Sequence, residues 1–264
     1  MAAITTDDAI RHVTPSEQSI PYMYLDTSTK EGGPFVTVGI GVVIDSAAQL
    51  GALLDAFEAW ELPPDGKGKP AKRGARLQEL LIAYQQVARW RDEQRALGQK
   101  GYVASAFAED NDVTTAEGQT VRLRLADGAD LKLAKSRADK LLASLRTLFP
   151  AFDAFPRDAQ LALFDMAFNM GVGERAATRK KSTGLQQFWN LVAAVKERNW
   201  KRAADECRRR PPVSERRNLE TKVLFLLAAK EDPLGSLTVD VGGAFAPKDG
   251  APWRVFDPTS PVRR

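Results

Sequence analysis

Residues 12–44 read HVTPSEQSIPYMYLDTSTKEGGPFVTVGIGVVI, and within them a helical pattern gives way to strand formers. The stretch 5–20 reads as a short helix capped by Thr6 or Asp7, with Thr14, Pro15, Ser16 and Glu17 near its end. From residue 21 the composition changes. Tyr22, Tyr24, Phe35, Val36, Val38, Ile40 and the run 42–44 favour strand, and the segment STKEGGP (28–34) is turn chemistry, so a β-hairpin is expected over 21–44. Three polar residues punctuate this apolar run: Glu17, Asp26 and Thr37. A helix end that turns into a hairpin can carry Glu17 and Asp26 to one cleft, with Thr37 facing the same space from the returning strand.

The 264 residues are 44% hydrophobic, enough to bury one large core or one core with an elaborate insertion. Lys and Arg number 38 against 34 Asp and Glu, and the scattered excess of +4 suits an anionic polymer of almost any kind. No recognisable face interleaves aromatic with basic residues, so nucleic acid is not an expected partner. Cys207 is the only cysteine and His12 the only histidine, which excludes a disulfide framework, Ser-His-Asp and Cys-His devices and most zinc sites. Proton chemistry in such a chain rests on carboxylates, and neither cofactor nor metal is expected. No apolar run is long enough to span a bilayer, and residues 1–18 lack a basic region followed by an apolar one. The expectation is a monomer made in the cytoplasm without a classical signal peptide and without membrane insertion.

Beyond the hairpin, Leu50, Leu53, Leu54, Phe57 and Trp60 recur at helical spacing before Pro63 and Pro64. Residues 65–74 are basic and loop-like. Leu77, Leu80, Leu81, Tyr84, Val87 and Ala88 mark another helix, and the alternating run 121–125 suggests a small strand pair within 100–130. Helices resume over 131–148, 157–170, 184–198, 200–209 and 214–230, and a Gly/Pro-rich extension runs from 235 to 264. The expected fold class is α+β, mainly helical, with a small β-hairpin lobe. One domain is expected over 1–234, with an enlarged helical insertion at about 47–130.

Glycosidic bond cleavage needs an acid to protonate the leaving oxygen and a second polar group to position water or hold developing positive charge, and two carboxylates suffice. Glu17 and Asp26 form the candidate pair. Glu31 is a weaker acid candidate, because solvation at a loop tip leaves a carboxyl near its ordinary value while a general acid profits from partial burial. Asn169, in an otherwise apolar helix, is either a satisfied buried amide or a sugar-contacting group. Arg216 or Arg217 is an attractive partner for Glu17 or Asp165.

Tyr24-Leu25-Asp26, the run TVGIG (37–41) and a glutamate nine residues before the aspartate together resemble the catalytic stretch of the phage-type lysozymes, glycoside hydrolase family 24. LFDMAFNMG (163–171) is similar to that family's buried central helix, and RNWKRAA (198–204) with VSERRN (213–218) to its C-terminal helices and arginine motif. The chain departs from the pattern at Gln18, where members usually carry Gly, in a longer loop after Asp26, and at Val42, where a histidine commonly stands.

The resemblance implies a lysozyme-like fold and a muramidase that cuts the β-1,4 bond between N-acetylmuramic acid and N-acetylglucosamine. Glu17 would be the general acid, with Asp26 and Thr37 holding the attacking water. Tyr24, Asn169, Arg216 and Arg217 would bind peptidoglycan glycan strands. A phage endolysin released through a holin, or an antibacterial effector of a type VI secretion system with a cognate immunity protein, are the settings expected for a wall hydrolase of this kind. The alternatives are a lytic transglycosylase using a single glutamate and a catalytically inactive module that binds glycan or a protein partner.

Overall fold

The computed structural model describes residues 2–17, 19–26, 35–44, 46–63, 67–96, 107–178, 181–210 and 213–232. Helix α1 (Thr6–Val13) is capped by Thr5, one residue before the expected Thr6 or Asp7. The Asp8 amide donates to the Thr5 hydroxyl and the Thr5 amide to the Asp8 carboxylate, closing a capping box. A 3-10 turn (Thr14–Ser16) with Pro15 in its first turn ends the helical stretch at Glu17.

Strand β1 (Ser19–Leu25) pairs antiparallel with β2 (Val36–Ile40), and Gly41, at φ +65°, reverses the chain into β3 (Val42–Ile44). The expected hairpin is therefore a three-stranded sheet in the order β1-β2-β3. The loop carrying Glu31 lies outside the described residues.

The insertion differs from its expected helical character. A short helix α2 (Leu50–Leu53), flanked by 3-10 turns, gives way to strand β4 (Phe57–Glu61) where the helical spacing was expected to continue through Trp60. Phe57 and Ala59 point inward and alternate with Glu58 and Trp60, and this period of two matches β7 (Thr120–Leu125) opposite: Phe57 pairs with Leu125 and Ala59 with Leu123. Pairing of two alternating segments distant in sequence outweighs a local helical spacing.

Strand β5 (Ala71–Gly74) lies in the segment expected to be loop, and β6 (Asp112–Thr114) completes a four-stranded sheet in the order β5-β4-β7-β6. Helix α3 (Leu77–Ala96) packs on it, as its apolar spacing predicts. Trp60 stands on the sheet's other face with the Lys72 ammonium 4.4 Å from its ring centroid.

The three-stranded sheet and the insertion share one core, in which Met23, Leu25, Val36 and Val38 meet Phe57, Leu80, Phe107 and Leu123. Asn111, fully buried, ties them together. Its amide nitrogen donates to Met23 O (2.8 Å) and Phe107 O (2.9 Å), and its oxygen accepts from Met23 N (3.0 Å), so it satisfies the backbone of β1 as a neighbouring strand would.

The second core is helical. Helix α4 (Ala129–Leu148) begins in the sheet core with Ala129 and ends in the helical core with Ala138, Leu142 and Leu145. Helix α5 (Arg157–Met170) is buried on every side from Ala159 to Phe168, the mark of a central helix. Around it pack α6 (Trp189–Lys196), α7 (Trp200–Glu206) and α8 (Glu215–Glu231), with Trp200 and Phe155 edge-on at 5.1 Å between ring centroids. The helix expected over 184–198 starts as a 3-10 turn (Gly184–Gln187), and the one expected over 200–209 stops at Glu206. The architecture is α+β, with two small antiparallel sheets and a helical body. Among the described residues no helix is long and apolar enough to cross a membrane. The extension 235–264 lies outside the described residues.

Candidate active site

Glu17 leaves the 3-10 turn in extended backbone (φ −118°, ψ 139°), its amide donating to Thr14 O at 3.2 Å. Its Oε1 accepts from Arg217 Nη1 at 2.6 Å, with 21% of the Glu17 side chain and 11% of the Arg217 side chain exposed. The same guanidinium donates from Nε to Asp165 Oδ1 at 2.9 Å. One arginine on α8 thus holds a carboxylate at the end of the first helical stretch and another on the central helix. Arg216, its neighbour in sequence, points away to Glu220 (2.8 Å) with 87% of its side chain exposed.

Behind Glu17 the network continues into the protein. Asp165 Oδ2 accepts from the Thr221 hydroxyl (3.0 Å) and is ion-paired with Arg209, whose Nη1 lies 2.8 Å away, while Arg209 donates from Nη2 into that hydroxyl at 2.6 Å and from Nε to Asn218 Oδ1 at 3.2 Å. Two carboxylates and two guanidiniums balance, the condition under which buried charges are tolerated. Burial works to raise the Asp165 carboxyl, and the two arginines with Thr221 overcome it and hold it below its ordinary value. Burial pushes Arg209 down and likewise opposes Arg217, which Asp165 and Glu17 nevertheless lift above the ordinary value.

The facing wall is the three-stranded sheet. Tyr24 on β1 pairs with Thr37 on β2, so the two side chains share a face. Burial pushes the Tyr24 phenol up to about 12, and the charges of Glu17 and Asp26 add to it, so Tyr24 stands in the field of both carboxylates and stays protonated at neutral pH. Asp26 closes the strand ends: its amide donates to Phe35 O and its Oδ1 accepts from Phe35 N, both at 3.1 Å. Thr37 is 2% exposed and donates its hydroxyl proton to Phe35 O at 3.1 Å.

Gly41 sits between these walls. Its positive φ favours glycine, and a Cβ there would lie 3.3 Å from Arg137 Nη1, displacing that group by a few tenths of an ångström, and at ordinary contact distance, 3.7 Å, from Glu17 Oε2. A pocket of about 370 Å3 lies between the 3-10 turn before Glu17 and the start of α8, lined by Pro15, Ser16, Asn169, Ser214, Arg216 and Arg217 among others, with Glu17 itself not in its wall. Asn169 is exposed there, at the end of a helix whose preceding ten residues are buried.

Of the expected residues, Tyr24 pairs with Thr37 and lies in the field of Glu17 and Asp26. Arg217 bonds Glu17 alone of these, and Asn169 and Arg216 line the pocket together with Arg217. Sequence reasoning missed Arg209 and Arg137. RRRPP (208–212) reads as a solvated basic run, yet the Arg209 side chain is 1% exposed. Among the described residues no three His, Cys, Asp or Glu side chains are grouped as metal ligands would be. The arrangement offers carboxylates as proton donor or acceptor, a phenol and exposed amide and guanidinium groups for a polar substrate. A scan against protein-family models finds no match to this chain, and neither does a search of curated proteins or of solved structures.

Proposed function

We propose that the protein is a peptidoglycan muramidase of lysozyme-like fold, with the chain 1–234 as its catalytic domain. Glu17 protonates the glycosidic oxygen, and Asp26, aided by Thr37, holds the water that attacks the opposite face of the sugar, giving inversion. Asn169 and Arg216 contact the glycan from the pocket, Tyr24 from the sheet. The observation that carries this proposal is the position of Tyr24 in the field of both Glu17 and Asp26, with Thr37 paired across from it. Arg217 holds the Glu17 carboxyl through Oε1.

Incubating purified sacculi with the wild type and with Glu17→Gln, and reading the fragments by mass spectrometry, tests it. Reducing muramic ends from the wild type alone are expected, the variant losing a factor of about 10²–10⁴ as for removal of a general acid. The burial of Thr37, whose hydroxyl proton is taken by Phe35 O, favours one rival, a lytic transglycosylase that dispenses with a held water. Anhydro ends would establish that rival, and silence of the wild type would leave a glycan- or partner-binding module. An antibacterial effector with a cognate immunity protein is the proposed setting, ahead of an endolysin, and a producer strain that survives without an immunity protein would sink it.

A further inference from the structure

Arg137, in the middle of α4, is a cation in a place that packing alone would fill more cheaply with an apolar side chain. Its guanidinium donates from Nη2 to Phe168 O (2.7 Å), lies 4.4 Å over the Phe168 ring and donates from Nη1 to Gly41 O. Phe168 O belongs to the last turn of α5, where a helix leaves carbonyls unpaired and the negative end of its dipole favours a cation. Gly41 is the turn that joins β2 to β3. A Cβ at Gly41 would meet Arg137 Nη1, Glu17 Oε2 and Phe168 Cε1 at 3.3, 3.7 and 3.9 Å, so these groups converge on one point of backbone. Burial holds Arg137 below the ordinary arginine value, and the neighbouring Glu17 and Asp26 charges offset part of that cost.

We propose that Arg137 is a positioning residue: it ties the Gly41 turn to the end of the central helix and so fixes where β2, with Thr37, stands relative to Glu17. The proposal rests on the muramidase assignment for its catalytic consequence, but the tie itself is a mechanical claim about residues 36–44. Three bodies meet at this guanidinium: the sheet through Gly41, the central helix through Phe168, and α4, which runs between the two cores. Methionine at 137 would keep the volume and lose both carbonyl contacts. Lysine would keep the charge, but as a single point it cannot span two acceptors as a planar fork does.

The test compares the full-length wild type with Arg137→Met, Arg137→Lys and, as control on the same helix, Arg146→Met, which removes an exposed pair with Asp153. Release of reducing ends from sacculi gives kcat and KM, and amide hydrogen exchange is followed over 36–44. For Arg137→Met, kcat is expected to fall about 100-fold with KM within about twofold, the cost of a displacement near 1 Å at a reacting centre. Exchange over 36–44 accelerates while α6 and α7 keep their protection. Arg137→Lys regains about tenfold of the lost kcat, since charge returns without the fork. The control matches the wild type.

Wild-type kcat, or unchanged exchange over 36–44, in Arg137→Met overturns the proposal. So does a uniform loss of protection in which kcat and KM move together and lysine restores nothing. Should Arg137→Met not fold, Arg137→Lys decides, with lowered kcat at wild-type KM supporting the tie and wild-type kcat refuting it. If the wild type releases no fragments, the muramidase assignment falls, and exchange over 36–44 alone decides for or against the tie.

Discussion

Arg217 and Glu17, 200 residues apart in the chain, meet at 2.6 Å, and the same guanidinium reaches Asp165 on the central helix at 2.9 Å. A single side chain on the last described helix therefore couples the position of the candidate acid to the core. Arg217→Met should leave Asp165 with one cation fewer and Glu17 unanchored. A loss of about 3–5 kcal/mol in urea unfolding is expected, the usual cost of breaking a buried pair from one side. Arg217→Lys keeps the charge but cannot hold two carboxylates at fork geometry, and hydrolysis should fall more than stability does.

Asp165 makes a prediction about acid. Its carboxyl lies below the ordinary value of 3.8 in the folded protein, so it contributes stability that is fully present above that value and is lost as pH falls through the lower folded one. Asp165→Asn should be less stable at neutral pH, because Arg209 and Arg217 keep buried charge with a neutral partner. It should also show a shallower loss of stability below pH 3.8. Urea midpoints at a series of pH values measure both, and parallel curves for wild type and variant would refute the assignment.

His12 acts in a different window. Burial holds its imidazole below 6.5, so the unfolded chain binds a proton more readily than the folded one. Stability from this group is complete above pH 6.5 and declines as pH falls from there through the lowered folded value. His12→Asn should flatten the stability profile in that interval and leave the Asp165 limb in place. Proton NMR of the single histidine gives the folded value directly, and a value above 6.5 contradicts the expectation.

Asn111→Leu tests the seam between the two sheets. The substitution leaves the amide and carbonyl of Met23 unpaired in a fully buried place, at about 1–3 kcal/mol for each group. Exchange of β1 amides should accelerate along with that of the insertion, since both share one core. Acceleration confined to the insertion would show that β1 does not depend on it.

The sequence by itself determined the local features. Periodic apolar positions gave α4, α5 and α8 close to their observed bounds and marked the first three turns of α3, which runs on to Ala96, because a helix that packs one face or all of them writes that burial into its own spacing. The antiparallel pairing of β1 with β2, which sets Tyr24 opposite Thr37, was legible as well, because the two strands lie close together in the sequence. Tertiary structure decided what depends on distant partners. Residues 57–61 carry a helical spacing, and they became a strand only because 121–125 lay opposite to pair with them. Arg216 and Arg217 are indistinguishable as neighbours in a sequence, yet adjacent residues on a helix point about 100° apart, so one reaches Glu17 and the other lies on the surface. Arg209 sits in a basic run and Arg137 in a mixed helix, and nothing near either in the chain announces a buried cation. Their roles come from Asp165, Gly41 and Phe168, which only the packing of α4, α5 and α8 brings within reach.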